Sequence, residues 1–317
     1  MKKFMALRAW LRKKVERREL VIAPGAYDAL TARVFEKAGY EAIYMTGHGV
    51  GAGMLAWTDV GLTTMTEMAW TAKNICNAIG LPVIADMDTG YGNALNVVRA
   101  VKEYEQAGVA AFQIEDQTLP KKCGFMKGKS LIKREEMVGK IKAAIAARED
   151  PNLLIIARCD ARAVEGPEGL YDRLKAYAEA GADLLYPEAP CNAKDVEEDA
   201  KHLRGYPLYF IGSWLQPRYG LTFKDIADMG YSVMILSTLA FAIAPKAVYD
   251  VAVEVKRIGT YPDLVKEGKE FTWDELQALL RLPEVRTIEE NFLPTEEKRR
   301  RWHGNKLPKD YYIKGIP

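Results

Sequence analysis

Asp86-Met87-Asp88-Thr89-Gly90-Tyr91-Gly92 places two carboxylates two residues apart, directly after the apolar run Leu81 to Ala85. Side chains two apart on a strand point the same way, so both acids would aim at one point and suit a hard divalent cation. Mg²⁺ typically takes one or two protein carboxylates and completes its shell with water and substrate oxygens. A second segment, Lys121-Lys122-Cys123-Gly124-Phe125-Met126-Lys127-Gly128-Lys129, centres one thiol in a cationic stretch with two glycines. That is the composition of a catalytic lid: the glycines let it open and close, and the flanking lysines should help the thiol ionise. Alone, the same segment also reads as a solvated surface loop, and the aspartate pair as an ordinary strand-end turn. An EF-hand does not fit, because an apolar strand rather than a helix precedes the pair and Val97 stands where a bidentate glutamate is needed.

Elements that could position these groups recur along the chain. Four junctions, Glu36-Lys37-Ala38-Gly39-Tyr40, Glu105-Gln106-Ala107-Gly108-Val109, Glu179-Ala180-Gly181-Ala182 and Asp228-Met229-Gly230-Tyr231, end a helical pattern on glycine just before a short apolar run. Those runs are Ala42 to Met45, Ala110 to Ile114, Leu184 to Tyr186 and Ser232 to Leu236; four more, Leu20 to Ala23, Leu81 to Ala85, Leu153 to Ala157 and Leu208 to Ile211, bring the set to eight. Helical patterns such as Asn93 to Ala107, Arg134 to Arg148 and Gly169 to Ala180 separate them. Eight alternating strand and helix units imply parallel pairing and predict an α/β fold, a closed (β/α)8 TIM barrel. A doubly wound sheet is the alternative, but Gly47-His48-Gly49-Val50-Gly51-Ala52-Gly53 departs from the dinucleotide-binding register.

In such a barrel the chemistry lies where the strands end. The expected ends are consistently polar: Thr46 and Gly47, Asp86 and Asp88, Glu115 and Asp116, Arg158 and Asp160, Glu188, Ser213 and Ser237. So many ionisable groups on one rim would be costly unless they held a cation or a charged substrate.

The remaining features bound the partners. With 317 residues, 49% of them hydrophobic, and a net charge of +2, nothing in the composition points to disorder, nucleic acid or an anionic membrane. Met1 to Glu19 reads as an amphipathic helix docked on the main domain, with Phe4, Leu7, Trp10, Leu11 and Val15 on its apolar side. The apolar window Val233 to Ala244 stops well short of the roughly 20 residues a membrane span needs. The cysteines, Cys76, Cys123, Cys159 and Cys191, form no Cys-x-x-Cys pair and fit a reducing cytoplasm; Cys76, Cys159 and Cys191 read as buried small residues. The catalytic barrel is assigned to residues 1–257, with a helix from Leu239 to Arg257 broken or kinked at Pro245. A C-terminal helical extension follows over 258–317, ending near the basic run Lys298-Arg299-Arg300-Arg301; its apolar anchors, Trp273, Leu276, Leu279, Leu280 and Phe292, suggest an oligomer contact.

Together, Tyr44-Met45-Thr46-Gly47, the Asp86 to Gly92 motif, Glu115-Asp116-Gln117, Lys121-Lys122-Cys123-Gly124, Ala157-Arg158-Cys159-Asp160-Ala161 and Pro187-Glu188-Ala189 resemble the isocitrate lyase and phosphoenolpyruvate mutase superfamily. The resemblance is greatest to its methylisocitrate lyase and dimethylmalate lyase branch and runs from about residue 20 to 250. It implies a Mg²⁺-dependent barrel (Mn²⁺ being an alternative ion) and a homotetramer, a dimer of dimers that swaps helices after the eighth strand. It also implies cleavage of a small 2-hydroxy di- or tricarboxylate into a 2-oxo acid and a second carboxylic acid. By position, Asp86 and Asp88 would hold the metal with support from Asp59 and Glu115. Thr46 and Gly47, where the family usually has serine and glycine, would bind the 2-oxo acid end. Arg158 would contact substrate oxygens and Glu188 would lie near the gating loop. Cys123 would protonate the carbanion left by cleavage, while Tyr44 and Lys121 both fit the base.

Two departures bear on the substrate. The lyase loop normally carries histidine where this chain has Phe125, and strand seven normally supplies an asparagine where this chain reads Ile211-Gly212-Ser213-Trp214. With Gly124 and Phe125 from the lid and Gly212 and Ser213 from strand seven taken as substrate-contacting positions, both changes predict an apolar group on the distal part of the substrate. His48, another replacement of a small residue, is read as packing or supporting rather than as a direct ligand. The alternatives are an oxaloacetate-type decarboxylase or hydrolase, a phosphonate or carboxyphosphonate mutase, and a non-catalytic member that binds 2-oxo acids.

Overall fold

The computed structural model describes residues 2–297. Eight parallel strands close into a barrel in chain order: β1 (Val21–Ala26), β2 (Ile43–Met45), β3 (Val83–Asp86), β4 (Ala111–Glu115), β5 (Leu154–Cys159), β6 (Leu184–Pro187), β7 (Leu208–Ile211) and β8 (Tyr231–Leu236). β1 closes on β8 with Val21 opposite Val233, and helices such as Met65–Ala78, Ala94–Ala107 and Arg134–Ala147 cover the outside. The expected TIM barrel is the observed fold. All four junction glycines take left-handed φ, between +87° and +103°. Gly108 also lies against the Phe4 ring, so a side chain there would meet a steric as well as a conformational barrier.

Strand alternation divides the core in two. Outward residues such as Ile43, Ala85, Phe112 and Ile155 pack under the helices, whereas Val21, Tyr44, Ile84, Ile156, Tyr186, Tyr209, Ile211, Val233 and Ile235 fill the barrel. Continuing each inward series by two residues leads from Ile84 to Asp86, Gln113 to Glu115, Ile156 to Arg158, Tyr186 to Glu188, Ile211 to Ser213 and Ile235 to Ser237. The polar rim is the inner apolar stack carried one step further.

Lys2–Glu16 is the expected N-terminal helix. Leu11 and Val15 enter the same buried cluster as the barrel lining, and Arg8, also buried, donates to the Val109 carbonyl at 2.8 Å and to Asp150 at 3.3 Å. The helix therefore plugs the barrel, with Phe4 and Trp10 only partly buried.

Three expectations need correction. Pro245 lies within the helix Leu239–Ile258 and does not break it; loss of one N–H removes one helical bond, which the turns on either side outlast. Asp88 is not a continuation of β3, which ends at Asp86. Cys191 is exposed, because it precedes the Asn192 cap of the helix Ala193–His202 in a surface connection.

Among the described residues, those up to Lys246 form one compact unit and those from Ala247 onward a second. In the second, Trp273–Leu279 and Leu282–Phe292 are helical, the first opened by a capping box between Thr272 and Glu275. The basic run Lys298 to Arg301 lies outside the described residues.

Leu11 is fully buried at the barrel plug. Leu11→Ala should lower unfolding free energy by about 2–4 kcal/mol in denaturant titration; a loss under about 1 kcal/mol would contradict the plug.

Candidate active site

A cavity of about 300 Å³ opens among the residues at the carboxyl ends of the strands. Its lining includes nine of the expected site residues, Tyr44, Thr46, Asp59, Asp86, Cys123, Gly124, Phe125, Arg158 and Glu188. The other six, Gly47, Asp88, Glu115, Lys121, Gly212 and Ser213, do not line it.

Four carboxylates gather around Lys121. Its ammonium is 2.8 Å from Asp88 Oδ1 and also pairs closely with Asp59. Tyr44 donates to Asp86 Oδ2 at 3.0 Å and accepts from Gln113 at the same distance. Asp88 reaches this group because β3 ends and the chain turns: its φ is +46°, and its amide donates to Asp86 Oδ1 at 3.0 Å. Such a backbone costs a non-glycine residue on the order of 1–3 kcal/mol, a strain concentrated here at the site. Lys140, itself buried, donates to the Thr89 carbonyl at 3.0 Å and braces the turn from behind.

Arg158 organises the other side. Its guanidinium makes two bonds to Asp160, at 2.9 and 3.1 Å, and lies 3.2 Å from Glu115 and 3.7 Å from Glu188. Asp160 is fixed in turn by its amide bond to Asp116 and by the Lys129 ammonium, each at 2.9 Å.

Burial governs the protonation of these groups. It pushes Asp88 up to about 6 against the pull of Lys121, with Asp86 and Asp59 adding to the rise. Burial likewise drives Glu115 well above the usual carboxylate range despite Arg158. Tyr44 is held well above the ordinary phenol value by burial and then by Asp86. For Lys121, burial alone would lower the ammonium, but Asp88, Asp59, Glu115 and Asp86 together hold it well above its usual value. Both candidate bases therefore carry their protons here.

The lid lies folded over the cavity. Cys123 donates its amide to the Asp59 carbonyl at 3.0 Å, and Lys129 Nζ ties the Gly124 carbonyl at 2.7 Å to Asp160. Gly124 passes so close to Glu188 that a Cβ would overlap its carboxylate and crowd Arg158. The thiol runs opposite to expectation. Burial pushes it up, the Phe125 amide and Arg158 only partly offsetting this, because Lys121 turns to the carboxylates instead of flanking the sulfur.

The distal wall is apolar. Phe125 meets Trp214 edge-on at 5.5 Å, the Arg218 guanidinium lies over the Phe125 ring at 4.9 Å, and Met126, Ile211, Ile235 and Phe241 continue the surface. At position 212 a Cβ would collide with Met234, so the space for a longer side chain is filled. Ser213 is spent on Ser237, at 3.1 Å, and on the Thr238 amide, at 3.3 Å; Ser237 and Thr238 face the cavity in its place. Trp214 and Phe241 gave little sign of this in the sequence, since long-range packing brings them in. The Ser237 step was legible from strand alternation.

Thr46 caps the helix Gly47–Leu55, accepting from the Gly49 amide at 3.2 Å, which leaves the helix start beside Asp86 and Tyr44. A helix N-terminus favours an anion. Gly47 is required by space, since a Cβ there would strike the Asp86 carboxylate.

A metal ion fits this chemistry. Four buried or half-buried carboxylates face one ammonium, Arg158 is already committed, and Asp88 Oδ1, Glu115 Oε2 and Glu188 Oε2 have no hydrogen-bond partner among the described residues. Asp88 Oδ1 and Glu115 Oε2 sit near cations without hydrogen-bond alignment, the arrangement expected where Lys121 stands in for a stronger positive charge.

Comparison with known proteins agrees with this barrel. Residues 11–256 match the phosphoenolpyruvate phosphomutase family, and the chain belongs to that phosphoenolpyruvate mutase and isocitrate lyase superfamily. It is 41% identical to 2,3-dimethylmalate lyase of Eubacterium barkeri over 285 residues, 90% of this chain and 97% of that one. It is 42% identical to 2-methylisocitrate lyase of Aeropyrum pernix over 270 residues, 85% of this chain and 86% of the other. A solved phosphonopyruvate hydrolase in complex with oxalate and Mg²⁺ superposes with a TM-score of 0.82 at 30% identity, covering 90% of this chain and 99% of that one. The chain is accordingly an enzyme, a carbon–carbon lyase of this superfamily.

Gly124→Ala should push Glu188 and Arg158 out of place, lowering kcat/KM by about 10²-fold in a steady-state assay with an unchanged thermal midpoint. Activity within twofold of the parent would show that this close approach does not position the site.

Proposed function

We propose that this chain uses Mg²⁺, with Mn²⁺ as a substitute, to cleave a branched 2-hydroxy di- or tricarboxylate of the dimethylmalate or methylisocitrate type. The products are a 2-oxo acid and a second carboxylic acid. The observation that carries the reading is one cavity with a carboxylate cluster and helix start at one end, a protonated thiol over it, and an aromatic wall at the other. The Mg²⁺ bound to phosphonopyruvate hydrolase supports the choice of ion.

Asp86 and Asp88 would hold the ion, with Asp59 and Glu115 behind them. Bound there, it would polarise the 2-hydroxy carboxylate and offset the negative charge that holds Lys121 protonated and adds to burial in holding Tyr44 protonated. Thr46 and the backbone at Gly47 take the carboxylate that becomes the 2-oxo acid end, and Arg158 neutralises developing charge on the oxygens. Tyr44 or Lys121 removes the hydroxyl proton, the carbon–carbon bond breaks, and the electron pair stays with the leaving acid. Cys123 then delivers its proton to that carbon. A thiol whose pKa is raised is the correct state for a donor, so the absence of a histidine at position 125 does not disable it. Glu188 holds Arg158 and receives the closed lid.

The distal group is apolar, since Phe125, Trp214 and Ile211 replace polar reach with ring and methyl surface. We further propose a cytoplasmic homotetramer. Unpaired thiols at Cys76, Cys123, Cys159 and Cys191 support the compartment, and among the described residues no helix is long and apolar enough to cross a membrane. The apolar residues Val248, Tyr249 and Val253, all exposed on the helix Leu239–Ile258, support assembly.

The test is product identification by mass spectrometry after incubation with Mg²⁺ and 2,3-dimethylmalate, 2-methylisocitrate, isocitrate or oxaloacetate. Cleavage of the branched acids at least about 10-fold faster than isocitrate is expected, and Cys123→Ser should lower kcat by about 10²–10⁴-fold. Equal isocitrate cleavage would remove the apolar-group reading, and acetate from oxaloacetate alone would replace the lyase reading with a hydrolase.

A further inference from the structure

His48 is left over by the lyase chemistry, yet it stands beside the thiol. The Nδ1 or Nε2 of His48, a carboxylate oxygen of Asp59 and the Sγ of Cys123 all lie within 4.8 Å of one another. All three residues line the cavity and none is fully buried, so the point between them is open to solutes. The imidazole is packed against Phe241 at 4.6 Å between ring centres, and its ring nitrogens make no hydrogen bond to any described residue. The three come from three separate elements: the helix Gly47–Leu55, the connection before Met65–Ala78, and the lid.

We propose that His48, Asp59 and Cys123 form a second cation site, which shares Asp59 with the Asp86 and Asp88 cluster and is selective for a thiophilic divalent ion of the Zn²⁺ type. Nitrogen, oxygen and sulfur in one set is a donor combination that Zn²⁺ accepts and Mg²⁺ does not favour. Zn–S near 2.3 Å and Zn–N or Zn–O near 2.0–2.2 Å place tetrahedral ligands roughly 3.3–3.8 Å apart, so closure needs a shift of about 1 Å. Gly124, directly after Cys123, gives the lid backbone the freedom for that shift. Binding exchanges the Cys123 S–H bond for a metal–thiolate bond and releases one proton to solvent. Asp59 turns from Lys121 to the ion, while Lys121 keeps Asp88. The bound ion takes the proton donor out of use and staples the lid to the barrel, making the site a reversible inhibitory lock.

Co²⁺ serves as the spectroscopic probe and Zn²⁺ as the inhibitor, both added to the full-length protein. The expected result is a thiolate-to-cobalt charge-transfer band in the near ultraviolet that is absent from Cys123→Ser and survives in Asp86→Asn. Zn²⁺ should inhibit in the presence of saturating Mg²⁺, and His48→Ala should weaken Zn²⁺ affinity by on the order of 10-fold or more while leaving Mg²⁺-supported turnover near that of the parent. If His48→Ala does not fold, His48→Gln makes the same comparison. No thiolate band, a band lost in Asp86→Asn, or Zn²⁺ affinity indifferent to His48 would each overturn the proposal. The cobalt spectrum needs no substrate, so its outcome is independent of whether the lyase substrate has been assigned correctly.

Discussion

The site depends on a surplus of buried negative charge. Asp59, Asp86, Asp88 and Glu115 converge at one end of the barrel and are compensated only by Lys121 and by an Arg158 shared with Asp160 and Glu188. Burying carboxylates costs several kcal/mol each unless a countercharge is close. The barrel can carry that burden because its lower end is an apolar, plugged core, with Leu11 and Val15 in one cluster with Tyr44, Ile84 and Ile156. Rigid packing below holds in place a rim that favours a cation.

The same charge distribution sets the state of the other groups. Lys121 keeps its proton because carboxylates surround it, Tyr44 because burial and then Asp86 hold it, and Cys123 because burial outweighs the Phe125 amide and Arg158. The lid is not simply a cationic loop. Lys121 and Lys129 both point inward to acids, and the second of these ties the loop backbone to Asp160. The folded lid and the carboxylate network share these contacts.

Much of this was legible because strand alternation has a fixed period. The eight apolar runs, their glycine junctions and the step from Ile84 to Asp86 or Ile156 to Arg158 follow from local pattern alone. What the sequence concealed depends on chain direction after a strand ends. Asp88 reaches the cluster through a positive-φ turn, and Ser213 bends toward Ser237 instead of the cavity. The Phe125–Trp214 wall joins residues nearly ninety apart, and His48 comes to face Cys123 across three elements, contacts that no local spacing encodes. The expectation of an acidic thiol failed for the same reason: neighbouring lysines in the chain are not neighbours of the sulfur.

The central claim is that the rim's uncompensated carboxylates hold one divalent ion. Titration of Mn²⁺ into the full-length protein, followed by electron paramagnetic resonance of the free ion, tests it directly. One ion per chain should bind and be displaced by Mg²⁺, with affinity falling by at least about 10-fold in Asp86→Asn. Absence of binding, or binding indifferent to Asp86, would contradict the account.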